Sequence, residues 1–409
     1  MKKPNLSIDV SIANAQADQQ TDMETTYRAE GLSIGRDCLR FQGKEVSSSP
    51  SLDQYIIDGT IGRGTSSVVQ RARLKREPNK YYALKVFPLN IQANQDIYEP
   101  GNDVAKKKHS AMLVQEIKLM CQLECECLVQ MVGAFYDPGV NVTMVLEYMD
   151  YGSLDHYMNF NDGFYEGRKE EPRMLPQSAL AAISFQILFG LAYLHHEDIL
   201  HRDIKPANIL INSEGSIKIS DLGISGLVSS AKTGLDATSS GLNHTVVGTS
   251  RYMSPERVLD KAYGPPCDIW SFGLILIECA TGGWSPLCSE SSNDRGLRSI
   301  IDLAMILDDF CIDDVLARLS KQQSKKPSKI NRKINWRKEA NESGGLSEVL
   351  KWSLQRLPET RIPALVLLDS PWFRRYKIED VQTAQKVMRR YFTEPSTSAV
   401  CDIVKLDKI

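Results

Sequence analysis

The residues best equipped for chemistry lie in one octet, His201-Arg202-Asp203-Ile204-Lys205-Pro206-Ala207-Asn208. An acid, a lysine and an amide fall within a few residues of each other. An apolar helical run precedes them and the strand-like Ile209-Leu210-Ile211 follows, so they occupy a loop held between ordered elements. Phosphoryl transfer calls for such a trio. Asp203 can orient or take up the proton of a hydroxyl, Asn208 can hold a metal ion, and Lys205 can neutralise charge on the migrating group. Little covalent chemistry is asked of the protein in that reaction, so positioning and charge must supply most of the rate.

Other stretches carry matching demands. Lys85 sits among apolar neighbours in the strand Tyr82-Ala83-Leu84-Lys85-Val86. An ammonium group there is costly unless anions meet it. Glu116, in the helical stretch Leu113 to Met120, is one candidate and nucleotide phosphate is another. Upstream, Gly62-Arg63-Gly64 follows the strand Tyr55-Ile56-Ile57 and is followed by Val68-Val69. Glycines there let a backbone approach phosphates, and the valines offer an apolar surface to a purine ring. Alone, this pattern fits an ordinary hairpin equally well. Asp221 ends the strand Ser216 to Ser220 and supplies the hard oxygen that a divalent cation prefers.

Around these points the chain shows recognisable supports. A long apolar-periodic helix starting at Pro176 and running through Leu194 delivers the octet. Val142 to Glu147 reads as a buried strand. Polar tracts at Asn90 to His109 and Asn161 to Arg173 read as loops, and Leu319 to Gly345 as a basic insertion that is either a solvated loop or a partner-binding patch. With 24% charged residues and a formal net charge of −2, nothing points to bulk affinity for nucleic acid or for an anionic membrane. No apolar run of about 18 residues suggests a membrane span, and the N-terminus lacks the apolar core of a secretory signal. Nine scattered cysteines without a CxxC pair imply a reducing compartment, and the Cys121, Cys125, Cys127 cluster reads as buried thiols rather than zinc ligands.

Taken in order, the glycine loop, Lys85, Glu116, His201 to Asn208 and Asp221 resemble the eukaryotic protein kinases over residues 55 to about 376. Lysine two residues after Asp203 resembles the Ser/Thr and dual-specificity branch. The run Val247-Gly248-Thr249-Ser250-Arg251-Tyr252-Met253-Ser254-Pro255-Glu256-Arg257 resembles the MAP kinase kinases, and Ser66 to Ala72 together with Leu146 is similar to plant and protist members. Two positions depart from the kinase pattern: Ser67 replaces a third glycine, and Leu222 stands where phenylalanine is usual.

The resemblance implies an α+β, bilobal fold, with a β-rich N-lobe at about 53–150 and a larger helical C-lobe at about 151–376. A tail at 377–409 follows, with a helical-looking segment to Phe392, and residues 1–52 are expected to be disordered. ATP and Mg2+ are the implied cofactors. ATP would lie against Ile61, Gly62, Arg63, Gly64 and Val69, beside Ala83 and Lys85. Leu146 would guard a rear pocket, the backbone of Glu147 and Met149 would meet the adenine edge, and Leu210 would also contact ATP. Lys85 and Glu116 would orient the nucleotide, while Asn208 and Asp221 would hold the metal. Asp268 is expected to brace the catalytic loop and Arg361 to pair with Glu256, with Thr249 near the substrate.

The same resemblance implies switching by phosphorylation at Ser239 and Thr245, with Ser240 as an alternative first site, and Arg202 as the cation for the phosphate. Lys2-Lys3 with Leu6 and Ile8 resembles a peptide that docks a downstream MAP kinase; a merely solubilising tail fits the composition as well. An upstream MAP kinase kinase kinase is the implied activator. No nucleic-acid partner and no membrane insertion are expected, and a cytoplasmic location with passage to the nucleus is. The activity implied is transfer of the ATP terminal phosphoryl to Thr and Tyr of a MAP kinase. A Ser/Thr kinase of another cascade tier and a catalytically silent scaffold are the competing readings.

Overall fold

Strand-compatible residues and two tight turns fold the region where composition suggests disorder. The computed structural model describes residues 26–48, 50–64, 67–89, 103–138, 140–158, 175–222, 226–227, 251–283, 286–287, 307, 309–325, 334, 338 and 343–393. Within the first of these ranges, Tyr27–Ala29 (β1), Leu32–Ile34 (β2), Cys38–Phe41 (β3) and Lys44–Ser48 (β4) form an antiparallel meander in chain order. Glu30-Gly31 joins β1 to β2 and Gln42-Gly43 joins β3 to β4, with φ positive at all four residues. Two-residue turns of that hand match the twist of the flanking strands. The expected disorder of residues 1–52 is therefore corrected for 27–48. Polar composition hides the sheet because it buries few side chains, chiefly Leu32, Ile34 and Leu39. Lys2, Lys3, Leu6 and Ile8 lie outside the described residues.

The chain divides into two compact units, residues 1–121 with 131–146, and residues 122–130 with 147–409. In the first, Tyr55–Arg63 (β5), Val68–Leu74 (β6), Glu77–Pro88 (β7), Met131–Asp137 (β8) and Asn141–Glu147 (β9) make a sheet of order β5-β6-β7-β9-β8, with the helix Asp103–Gln122 (α1) between β7 and β8 in sequence. Part of the polar tract expected as a loop at 90–109 is thus helical from Asp103. The meander's Leu32, Ile34 and Leu39 share one core with Phe87, with Leu113 and Ile117 of α1, and with Ala134, Val142 and Met144.

The expected N-lobe boundary near 150 also shifts. The break falls after Leu146, and residues 122–130 belong to the second unit. Backbone hydrogen bonds explain why: Val129 N–H donates to Ile219 O, and Ile219 N–H donates to Cys127 O, each at 2.9 Å. That segment also lies on Gln177–His196 (α3) at Gly190, where a Cβ would stand 3.1 Å from Cys127 O and 2.9 Å from Ile219 Cδ1. Only glycine permits so close an approach.

The second unit is mainly helical. Besides α3 it holds Leu154–Met158 (α2), Pro255–Val258 (α4), Pro266–Thr281 (α5), Ile312–Lys325 (α6), Leu346–Ser353 (α7), Ala364–Leu367 (α8), Pro371–Arg375 (α9) and Val381–Thr393 (α10). Short strands Gly152–Ser153 (β10), Ile209–Ile211 (β12) and Ile217–Ile219 (β13) form a three-stranded sheet, and Ile199–Leu200 (β11) pairs with Gly226–Leu227 (β14). By length and composition α3 could cross a bilayer, although no such run stood out in the sequence; most of it is buried within this unit, as a core helix is. The basic insertion expected at 319–345 begins inside α6, so its first residues are helical rather than looped.

The tail is corrected as well. Val381, Ala384, Met388 and Phe392 line one buried face of α10, and the Phe392 ring meets Tyr151 edge-on at 4.8 Å. Gly215 lies so near α10 that a Cβ would stand 2.4 Å from Gln385 O. The compact second unit therefore continues through Thr393, past the expected boundary at 376. Phe392→Ala should destabilise this unit by about 3 kcal/mol in urea unfolding followed by far-ultraviolet circular dichroism. An unchanged midpoint would mean that α10 is an appendage.

Candidate active site

The loop Leu200 to Asn208 takes its shape from an acid on a different element. Asp268, in the first turn of α5, is 1% exposed. Its Oδ2 accepts from His201 N–H at 3.0 Å and lies 2.9 Å from His195 Nε2, and its Oδ1 accepts from Arg202 N–H at 2.9 Å. Burial pushes this carboxyl upward in pKa. The hydrogen bond and charge of His195, the nearby His201 and the Arg202 N–H outweigh burial and hold it at about 2. Arg202 adopts φ 68°, a left-handed conformation that side chains resist, so the loop needs this external grip.

His201 carries the order onward. Its Nε2 lies 3.0 Å from the Ser220 carbonyl while its Nδ1 accepts from Asp203 N–H at 3.2 Å, so Nε2 is the nitrogen placed to donate. One imidazole thus joins the loop to the strand end that bears Asp221.

The predicted trio is brought together. Lys205 Nζ lies 2.7 Å from Asp203 Oδ2, and Asn208 Nδ2 donates to the same oxygen at 3.0 Å and to Asp203 O at 2.8 Å. Both side chains thus engage Oδ2, and among the described residues Oδ1 is left to accept from an incoming hydroxyl. Ser220 N–H donates to Asn208 O at 2.8 Å, so Asn208 and Asp221 sit on adjoining backbone. With its Nδ2 committed to Asp203, Asn208 can offer its amide oxygen to a cation. Asp221 is exposed, with φ 64°. Two oxygen donors of this kind suit a hard divalent ion. Leu222 is buried, as an apolar replacement for phenylalanine should be.

In the first unit, Lys85 Nζ lies 2.6 Å from Glu116 Oε1, with the two residues 9% and 3% exposed. Charges that far from water are tolerable because they are paired. Gly62 pairs with Val69 and Val69 with Lys85 across β5, β6 and β7, so glycine, valine and lysine form one row. Gly64 N–H donates to Ser67 O at 2.8 Å and closes the hairpin turn. Ile61 is half-exposed and Arg63 ends β5, while Ala83 is buried in β7. Leu146 packs at the margin of the core shared by α1 and the meander. In the second unit, Glu147 N–H donates to Gln130 O at 3.1 Å, Met149 is buried and Leu210 is half-buried in β12.

Arg361 meets Glu256 through two parallel bonds of 2.7 and 2.8 Å. Its remaining donors reach Gln355 O, Pro266 O and Arg356 O, and its guanidinium stacks on Trp270 at 5.1 Å. All five N–H groups are used. Ser239, Ser240, Thr245 and Thr249 lie outside the described residues.

Three contacts at the site were not assigned from the sequence. Lys218 Nζ lies 2.7 Å from Glu147 Oε1, which also accepts from Gln130 N–H at 2.7 Å, and this pins the segment where β9 ends. Its signal was present in Ile217-Lys218-Ile219, a lysine among apolar neighbours like Lys85. Arg257 donates to Arg202 O at 2.6 Å, and both guanidinium groups lie over the Tyr263 ring. His195 gave no local sign of a distant acid.

A loop acid braced by a buried aspartate, with a strand lysine paired to a helix glutamate, defines a protein kinase domain. The protein kinase domain family matches residues 55–373. The chain is 32% identical to Mitogen-activated protein kinase kinase 2 of Arabidopsis thaliana over 410 residues, covering 96% of this chain and 95% of the relative. It is 36% identical to Mitogen-activated protein kinase kinase SIPKK of Nicotiana tabacum over 63% of this chain and 65% of the relative. Against Dual specificity mitogen-activated protein kinase kinase dSOR1 of Drosophila melanogaster it is 30% identical over 91% of this chain and 85% of the relative. The chain belongs to the MAP kinase kinase family of protein kinases, and such an enzyme uses ATP with a divalent metal.

Asp268 is depressed below its ordinary 3.8, so its stabilisation is present in full above that value and fades as pH falls toward about 2. Urea unfolding at pH 6 should show Asp268→Asn less stable than wild type by about 3 kcal/mol, with the gap narrowing below pH 3.8. A gap independent of pH down to the acid limit would refute the charge argument. Arg361→Ala should cost about 3–5 kcal/mol, and Arg361→Lys should recover less than half of that because an ammonium cannot reproduce the planar fork; thermal melts of the two variants decide it.

Proposed function

We propose that this kinase transfers the terminal phosphoryl group of ATP to both the threonine and the tyrosine of a MAP kinase activation loop. It is itself activated when an upstream kinase phosphorylates Thr245 and Ser239 or Ser240. The observation that carries the reading is the intact cluster of Asp203, Lys205 and Asn208, with a carboxylate oxygen left for the acceptor hydroxyl. Relatives named as mitogen-activated protein kinase kinases, one of them as dual specificity, support the choice of acceptor.

In this reading Asp203 receives the acceptor hydroxyl on Oδ1 and takes its proton late, while Lys205 offsets charge as the phosphoryl group moves. Lys85, fixed by Glu116, holds the nucleotide phosphates, and Gly62 and Gly64 let the loop backbone approach them. By family resemblance alone, Ile61, Val69 and Ala83 would contact the purine, and Leu210 and the backbone of Glu147 and Met149 are assigned to the same nucleotide. Asn208 and Asp221 would hold Mg2+, which neutralises phosphate charge when bound. Arg202, steadied through its carbonyl by Arg257, would receive the activating phosphate, and Lys2, Lys3, Leu6 and Ile8 would tether the target.

Incubating loop-phosphorylated enzyme with a catalytically dead MAP kinase should label threonine and tyrosine alike in mass spectrometry. Thr245→Ala should cut labelling by at least about tenfold, and Asp203→Ala or Lys85→Met should cut it by at least about a thousandfold. Threonine labelling alone would favour a kinase of another tier. Wild-type rates in the Asp203 or Lys85 variants would overturn the assignment of roles.

A further inference from the structure

We propose that the four-stranded meander of residues 27–48 is a positioning element for catalysis: its apolar face props α1 so that Glu116 stays paired with Lys85. The proposal rests on the roles given above to those two residues. In proteins most of a helix's stability comes from packing of its apolar face rather than from its own propensity, so α1 is placed by what it packs against. Leu113, Glu116 and Ile117 fall at helical spacing on neighbouring positions of α1, so the face that buries Leu113 and Ile117 also sets where Glu116 points. Leu32, Ile34 and Leu39 belong to the same core as Leu113 and Ile117, and Met120, one turn after Glu116, packs at its edge.

Polar contacts tie the meander in register with its neighbours. Glu30 pairs with Lys118, two residues beyond Glu116. Tyr136 N–H of β8 donates to Gly35 O at 2.7 Å, and the Tyr27 and Tyr136 rings lie 6.0 Å apart. The meander thus grips both α1 and the strand that follows it. Lys85 and Glu116 are 2.6 Å apart and almost free of solvent. A small displacement of α1 would separate them without water to take over, so loss of packing at the meander should appear as loss of turnover.

The test uses the full chain, phosphorylated on its activation loop. Truncation of the prop in Ile34→Ala with Leu39→Ala should lower kcat per folded molecule by about 10- to 100-fold, well below the melting midpoint. Leu39→Met, which keeps the volume, should retain most of the activity. In a Glu116→Ala background the same truncations should lower kcat by less than about twofold, because the route they act through is already cut. Unchanged kcat in the truncated enzyme, or losses that multiply in the Glu116→Ala background, would overturn the proposal. Should the double truncation fail to fold, Glu30→Lys should lower kcat by about two- to fivefold and Lys118→Glu should restore it; no restoration counts against the prop. Amide exchange separates this proposal from the assigned reaction. It should quicken across residues 111–120 in the truncated protein while α5 stays protected, even if wild type labels no MAP kinase. Unchanged exchange there would sink the prop whatever the substrate.

Discussion

A carboxylate almost wholly removed from water must be surrounded by donors, and Asp268 meets that requirement with the backbone of the loop it supports. Its two oxygens take the N–H groups of His201 and Arg202, and His195 of α3 covers the second oxygen. Removing any donor would strand charge in a low-dielectric interior, which is far worse than losing an exposed contact. The loop is therefore restrained to a conformation that Arg202 would not choose by itself. From there the order passes through the His201 ring to Ser220, and through Asn208 to Asp203. Donors and acceptors fixed before substrate arrives need no reorganisation during the reaction.

The first unit settles its own charge by a different means. Lys85 and Glu116 satisfy each other, so the glutamate must be delivered by a helix whose position is set from outside. Apolar side chains of the five-stranded sheet and of the N-terminal meander together set it. Each unit therefore preorganises its own share of the chemistry from its own residues. The two shares are built from opposite materials, buried hydrogen bonds to backbone in one and packed aliphatic side chains in the other.

The proposed catalytic cluster was legible because phosphoryl transfer demands particular residue types at close spacing. Asp203, Lys205 and Asn208 lie in one short loop, and no packing argument is needed to see that they meet. Pairing of Arg361 with Glu256, more than a hundred residues away in the chain, became readable only through family resemblance. The meander was missed for a physical reason. Its strands are three to five residues long and only alternate residues need be apolar, so composition reads as polar throughout. Glu30-Gly31 and Gln42-Gly43 were the available signal, weaker than the Asn-Gly or Asp-Gly turn pairs that usually betray a hairpin. Likewise the helical face of α10 is plain in the spacing of Val381, Ala384, Met388 and Phe392, but what it packs against is not.

Lys85 and Lys218 show where such reading stops. Each is a lysine set in an apolar strand, and each must therefore find an anion. For Lys85 the sequence offered Glu116 beside nucleotide phosphate; for Lys218 it stated the need without a partner, because the choice depends on which element folds across the strand. For Lys85 it is a helix residue 31 positions on; for Lys218 it is Glu147, 71 positions back, beside the point where the chain leaves the first unit. The second pair fixes β13, whose far end leads directly into Asp221. The two buried charges thus act alike in the fold: Lys218 steadies the strand that leads to Asp221, and Lys85 fixes Glu116 on α1.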